Sequence, residues 1–246
     1  MTLASLPDNY RAAVFGASGG IGAALVNALA ADDRCALIHA GVRCKLPPET
    51  PRVKPFSFDL QDEWSIEGAA SLIAADAGID LVIVATGRLH APSLQPEKSG
   101  RALEAAALNE AFAINTIGPA LVAKRMLPLL PRNRRTVFAV LSARVGSISD
   151  NRLGGWHSYR ASKAALNMLV RTFAIEQART HPQTVCVALH PGTVDTRLSK
   201  PFQSGVATEK LFTPAHAASS LLATLDALTP AQSGRLFAWN GEEIAP

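Results

Sequence analysis

Short apolar runs of β type alternate along this chain with longer Ala- and Leu-rich stretches of helical period, which limits the folds open to it. The strand-type runs cover 12–16, 35–42, 53–59, 81–85, 136–142, 184–190 and 235–239. The helical patterns cover 20–31, 65–77, 101–115, 119–130, 158–179 and 214–228. Near-continuous apolar strands separated by helices predict a parallel sheet buried on both faces. The expectation is therefore an α/β, doubly wound parallel sheet of seven strands. No repeat, low-complexity tract or long linker divides the 246 residues, so one domain spanning 1–246 is expected.

At 48% hydrophobic and 18% charged, the chain has the composition of a folded globular protein. Its net charge of +4 is scattered, with no basic block, which argues against nucleic acid as a partner. Cys35, Cys44 and Cys186 are odd in number and lack Cys-x-x-Cys spacing, so neither a disulfide framework nor a metal site is expected. The opening MTLASLPDNYR lacks a signal-peptide layout, and no apolar run approaches the roughly 20 residues of a membrane span. The reading is a cytoplasmic protein without a membrane partner.

The first strand leads into Val14-Phe-Gly16-Ala-Ser18-Gly19-Gly20-Ile21-Gly22, which opens a helix carrying Leu25 and Leu29 on one face. Glycines there permit a tight turn and let backbone N–H groups approach a pyrophosphate at the helix N-terminus. A turn without a ligand is the alternative, disfavoured by its place after the first strand. The spacing Gly16-x-x-x-Gly20-x-Gly22 departs from the usual Gly-x-Gly-x-x-Gly. An acid roughly 20 residues further on ordinarily binds the 2′-hydroxyl of NAD. Here the second strand ends in His39-Ala-Gly41-Val42-Arg43-Cys44-Lys45, without a carboxylate. Guanidinium binds phosphate bidentately, so Arg43 points to NADP over NAD, unless Arg43 and Lys45 are solvated loop charges. Asp59 suits either a hydrogen bond from adenine or a helix cap. Thr86-Gly87 ends the fourth strand, where a small residue lets backbone lie against a cofactor.

Tyr159-Arg-Ala-Ser-Lys163 sets a phenol and an ammonium one helical turn apart on one face. A nearby ammonium favours the phenolate and lowers a phenol pKa from about 10, which suits general acid–base work. A buried tyrosine beside a solvated lysine is the plain alternative. Asn115, in Ile114-Asn-Thr-Ile-Gly118-Pro119, interrupts a long Ala/Leu pattern, where it could hold a water, kink the helix or cap the next segment. His190-Pro-Gly192-Thr-Val194-Asp-Thr196 offers groups to a nicotinamide carboxamide, or is a plain turn. Trp156, Phe202 and Phe212 suggest an apolar substrate pocket or are simply core, and His157 is either a further part of that wall or a surface histidine beside Trp156.

In order, these motifs resemble the short-chain dehydrogenase/reductase family from Val14 to Glu243. The likeness is strongest to its branch of C-factor-like and sniffer-type carbonyl reductases. It is carried by Ser147-Ile-Ser-Asp150-Asn151, Gly154-Gly155, Tyr159-Arg-Ala-Ser-Lys163, His190-Pro-Gly-Thr-Val-Asp-Thr196 and Gly234-Arg-Leu-Phe-Ala-Trp-Asn-Gly-Glu-Glu243. The resemblance implies a Rossmann fold and NADP(H)-dependent carbonyl reduction or alcohol oxidation on a small-molecule substrate. It implies that Gly16, Ser18, Gly20, Ile21 and Gly22 line the cofactor phosphates, that Asp59 meets adenine and that Gly87 lies near the adenosine ribose. Pro191, Gly192, Val194 and Thr196 would border the nicotinamide. Tyr159 would exchange a proton with the substrate oxygen, and Lys163 would bind the nicotinamide ribose and lower the tyrosine pKa. Asn115 would hold a water linking Lys163 to solvent. A homo-oligomer packed through 101–130 and 158–179 is implied as well.

One departure matters. The serine that the family carries three residues before the glycine matching Gly146 is Ala143 here. Ser142 is one residue off and should face the other way along a strand, while Ser147 could reach the site from its loop. Loss of one oxyanion donor costs about 10²–10³ in turnover. A dinucleotide-binding regulatory or signalling protein with weak or lost catalysis is therefore the rival to an enzyme. Milder departures are Phe15 where a threonine often stands, and Val84-Ala85-Thr86-Gly87 in place of Asn-Asn-Ala-Gly.

Overall fold

A computed structural model describes residues 2–44, 46–76, 78–91 and 95–246; Lys45 and the expected helix end at Ala77 lie outside the described residues. The strands in chain order are β1 (Tyr10–Phe15), β2 (Cys35–Val42), β3 (Val53–Ser57), β4 (Leu81–Val84), β5 (Thr136–Leu141) and β6 (Thr184–His190). Four shorter ones follow: β7 (Thr193–Val194), β8 (Leu211–Phe212), β9 (Leu236–Ala238) and β10 (Glu243–Ile244). The main helices are α1 (Gly20–Ala30), α2 (Glu63–Ala74), α3 (Ala105–Phe112), α4 (Gly118–Met126), α5 (His157–Gln177) and α6 (Pro214–Ala227).

The main sheet has the order β10-β9-β6-β5-β4-β1-β2-β3. Its seven expected strands pair in parallel, and β10 adds an eighth, antiparallel to β9. That edge strand escapes sequence reading because two residues beyond a turn at Gly241 (φ +82°) carry no period-2 signal. β7 and β8 pair apart from it in a two-stranded ribbon.

Alternation along the strands divides the core. Val14 and Ile83 face Leu25 and Leu29 of α1 and Leu221 and Leu225 of α6. Phe15 and Val82 face Ile66 and Ile73 of α2, Val122 and Met126 of α4, and Leu166 and Val170 of α5. An eleven-residue helix such as α1 is marginal alone. Burying Leu25 and Leu29, about 1.5–3 kcal/mol each, fixes it to the sheet.

Two helical boundaries depart from the sequence reading for local reasons. α2 starts at Glu63 because Asp62, not Asp59, caps it, its carboxylate accepting Trp64 N–H at 3.0 Å. The interruption at Asn115 is not a break: a π-helical turn, Ala113–Ile117, joins α3 to α4. In an unbroken α-helix Pro119 would clash with the carbonyl of Asn115, four residues back, and the wider turn relieves that clash. Strand order reverses at β1 and β4, which opens a crevice at their carboxyl ends. Among the described residues no helix is long and apolar enough to cross a membrane, and no cluster of three His, Cys, Asp or Glu could hold a metal ion.

Candidate active site

The crevice is a cleft of about 760 Å³ whose floor is the glycine turn between β1 and α1. Gly16 adopts φ +96°, and a Cβ there would stand 2.9 Å from the Ala85 carbonyl oxygen. The Gly16 and Ala17 N–H groups both donate to the Gly41 carbonyl, at 2.9 and 2.8 Å, which ties the turn to β2. α1 then opens without a side-chain cap, so its first N–H groups and the positive end of its dipole face the cleft. Gly16, Ser18, Gly20 and Ile21 line that floor, and Arg43 and Asp59 line the cleft as well. Gly22 does not line it, contrary to expectation. A Cβ there would fall 2.1 Å from the Gly16 carbonyl oxygen, so this glycine lets helix and turn pack.

Across the cleft stand Gly87, Tyr159, Lys163 and Thr196. A side chain at Gly87 would enter the space before Lys163, its Cβ 3.7 Å from Nζ. The Thr196 methyl lies 2.8 Å from where a Gly20 Cβ would be. Bare backbone at a helix N-terminus, an exposed arginine past β2 and a glycine before the lysine together fit a phosphorylated dinucleotide.

Tyr159 and Lys163 sit on α5 as their spacing predicts, with Lys163 Nζ 5.9 Å from the centre of the tyrosine ring. Lys163 is buried and donates to the Leu141 carbonyl at 2.8 Å. Burial pulls Lys163 down to about 7 and pushes Tyr159 up to about 12. In the protein alone the lysine therefore does not lower the phenol pKa as expected. Desolvation disfavours the charged form of each group and outweighs their attraction.

Asn115 is fully buried and bridges two elements. Its Oδ1 accepts Arg88 N–H at 2.8 Å; its Nδ2 donates to the Arg88 carbonyl at 2.9 Å and to Ser162 Oγ at 3.1 Å. The side chain thus clasps the loop after β4 to α5 rather than lining the cleft.

The start of α5 needs outside help. Gly154, Gly155 and Trp156 run through left-handed conformations (φ 64°, 66° and 52°), and Trp156 offers no side-chain cap. Buried Glu97 supplies it: the carboxylate accepts the Ser158 N–H at 3.2 Å and the Ser158 hydroxyl, and its own carbonyl accepts Trp156 N–H. Burial raises the Glu97 carboxyl, but these donors outweigh it and hold it below the usual range. Sequence reasoning missed Glu97 because it lies 61 residues before its partner, outside any local capping pattern. Glu97→Ala is expected to cost about 1–3 kcal/mol through orphaned donors. Thermal unfolding would show a drop of several degrees, smaller for Glu97→Gln, whose amide oxygen still accepts; an unchanged midpoint would deny the cap.

Beyond Tyr159 opens a second cavity of about 590 Å³, lined by Ala143, Val145, Leu153, Trp156, Phe202 and Val206 among others. Trp156 packs between Phe202 and Tyr159, ring centres 5.1 and 6.3 Å apart. Pro191 and Thr196 border both cavities, whereas Gly192 and Val194 border only this one. Phe212 is not in the wall; it packs edge-to-face on Trp239, ring centres 4.6 Å apart, against Gly192. His157 is absent from the lining too, and His190 takes part instead, lowered to about 4 by burial and by Arg144. Neither nearby serine is free. Ser142 Oγ donates to Asn167 Oδ1 at 2.7 Å, and Ser147, which lines neither cavity, accepts Asp150 N–H at 3.1 Å.

A glycine-turn cleft at a strand-order reversal, meeting an apolar pocket at a tyrosine–lysine pair, is the architecture of a dinucleotide-dependent oxidoreductase. Residues 11–207 match the family model described as short chain dehydrogenase, and the chain belongs to that family, the short-chain dehydrogenases/reductases. It is 32% identical over 177 residues to 1-hydroxy-2-glutathionyl-2-methyl-3-butene dehydrogenase of Rhodococcus sp. (strain AD45), covering 72% of this chain and 73% of that one. It is 37% identical over 134 residues to C-signal of Myxococcus xanthus, covering 54% and 75%. The NADPH-bound carbonyl reductase from chicken fatty liver has a TM-score of 0.80 at 25% identity, covering 98% and 100%. The carbonyl reductase Sniffer of D. melanogaster, at 0.81 and 22% over the same shares, is alike in fold.

Proposed function

We propose that the chain, working as one unit over 1–246, is an NADP(H)-dependent carbonyl reductase or alcohol dehydrogenase acting on a small molecule. The observation that carries this reading is Tyr159 in the wall common to the cleft and the apolar pocket, with Lys163 on the cleft side. NADPH, when bound, supplies the hydride to the carbonyl carbon. The Tyr159 hydroxyl gives its proton to the carbonyl oxygen as the C=O π pair becomes the oxygen's lone pair, yielding the alcohol. Lys163 holds the nicotinamide ribose, and nearby phosphate charge favours its ammonium form, which then makes Tyr159 a stronger acid. Gly16, Ser18, Gly20 and Ile21 face the phosphates, Asp59 the adenine and Gly87 the adenosine ribose. Pro191, Gly192, Val194 and Thr196 shape the nicotinamide end, and Asn115 steadies the Gly87 loop against α5. Homo-oligomerisation through the face that exposes Ile117, Met168 and Ile175 completes the proposal.

Arg43 reads the 2′-phosphate in this scheme. Arg43→Ala is expected to raise KM for NADPH about tenfold, the equivalent of one lost charge-assisted contact, and to leave NADH unchanged. Equal losses with both cofactors would assign Arg43 another role. The founding test is NADPH oxidation against a panel of carbonyls, with NADH as control; turnover on at least one carbonyl is expected. Ala143 favours a second reading, a dinucleotide-binding regulator. NADPH binding without turnover on any carbonyl would support it over the first.

A further inference from the structure

The wall of the apolar pocket carries three guanidinium groups, those of Arg144, Arg152 and Arg160, against the single carboxylate of Asp150. Two of the three are engaged. Arg160, on α5, braces the segments before that helix, donating to the Gly155 carbonyl at 3.0 Å and the Val145 carbonyl at 3.3 Å. Arg144 pairs with Glu242 at 3.4 Å and with Asp150 at 3.6 Å, and so occupies the acid that lines the wall among the described residues. Arg152 has no hydrogen-bond or ion-pair partner among the described residues. It is exposed at the pocket, while Tyr159 lies where the pocket joins the cleft.

The loop carrying Arg152 is held at both ends. Asn151 N–H donates to the Ile148 carbonyl and Asn151 Oδ1 accepts Gly154 N–H at 3.0 Å, while Glu97 anchors Trp156. The guanidinium thus belongs to an ordered segment that borders a mostly apolar pocket, and its charge, unmatched there, attracts an anion. A neutral ligand filling the pocket would strip water from this arginine without replacing it. An anionic ligand would replace that water with a paired, charge-assisted contact.

We infer that the substrate is a carbonyl compound with an apolar body and a carboxylate, the carboxylate held by Arg152 while the carbonyl meets Tyr159. The assignment rests on the carbonyl-reductase reading, and its test separates the two. In the NADPH assay, 4-carboxybenzaldehyde is compared with its methyl ester, the same carbonyl with the charge masked. The acid is expected to have at least tenfold higher kcat/KM. Arg152→Gln should bring the ratio near one by raising KM for the acid alone, and Arg152→Lys should keep part of the preference. Calorimetric titration of 4-methylbenzoate into the NADP⁺-loaded protein supplies a readout without turnover, with at least tenfold weaker binding expected in Arg152→Gln. If the ester is reduced as well as the acid, or Arg152→Gln leaves the acid's KM unchanged, the carboxylate assignment falls and the reductase reading stands. If no carbonyl of the wider panel and neither aldehyde is reduced but 4-methylbenzoate binds through Arg152, the reductase reading falls and the carboxylate site stands. Absence of both overturns the assignment.

Discussion

Replacing Lys163 by Met is expected to lower turnover by about 10²–10⁴ while making the protein more stable near pH 6. Activity falls because the phenol of Tyr159, pushed up to about 12 by burial, loses the only side-chain cation on its own helical face that could make it a better acid. Stability rises because a buried amine is costly in its charged form. The displacement of Lys163 from 10.5 to about 7 is worth at most about 5 kcal/mol. Against this, the Leu141 carbonyl loses its donor, at about 1–3 kcal/mol. A net gain of about 2 kcal/mol, or about 4–8 °C in a chain of this size, is expected. The sign with pH follows from proton counting. The folded-state pKa lies below the unfolded one, so between about 7 and 10.5 the unfolded chain binds more protons and wild-type stability climbs with pH. Below that window the cost is complete. The Met variant's advantage should thus be greatest at pH 6 and fade toward pH 10; an advantage flat across pH would show that packing, not charge, had changed.

Ala143→Ser is expected to raise turnover by about 10², the size of one restored oxyanion donor. Ala143 lines the apolar pocket together with Tyr159 and has extended backbone (φ −150°), which serine adopts without strain. The hydroxyl has no local rival, because Ser142 is committed to Asn167 and Ser147 to its own loop. A single-turnover rate that rises with the nucleotide's Kd unchanged would locate the gain in chemistry. An unaltered rate would mean that the substrate oxygen already has its second donor elsewhere, and would sink the idea of a missing group. A wild-type protein silent on every carbonyl, awakened by this change, would favour the regulatory reading.

What could be read from the chain were features encoded within a few residues: the glycine turn, the Tyr159–Lys163 pair, the missing acid after β2 and the seven parallel strands. What could not be read depends on partners far apart in sequence or on the surrounding medium. Glu97 caps a helix through Ser158, 61 residues after it, and Asn115 spends its amide on Arg88 and Ser162, 27 and 47 residues away. Phe212 looked like a pocket aromatic until Trp239 and His216 were folded against it. Spacing put the lysine near the phenol correctly, but gave no measure of how dry both would be. That is why the direction of the Tyr159 shift came out opposite to the expectation.

The π turn between α3 and α4 turns the placement of Asn115 into a matter of counting. An i→i+5 turn takes in one residue more than an α-turn, and each residue of an α-helix rotates the next by about 100°. The asparagine can therefore face α5 while Val122 and Met126 of the following helix face the sheet. Exchange of side chains along α4 beyond Pro119 leaves that phase untouched. Loss of a single residue anywhere in 113–117 would carry the two faces out of step, so across lineages this stretch should tolerate new letters far more readily than a changed length.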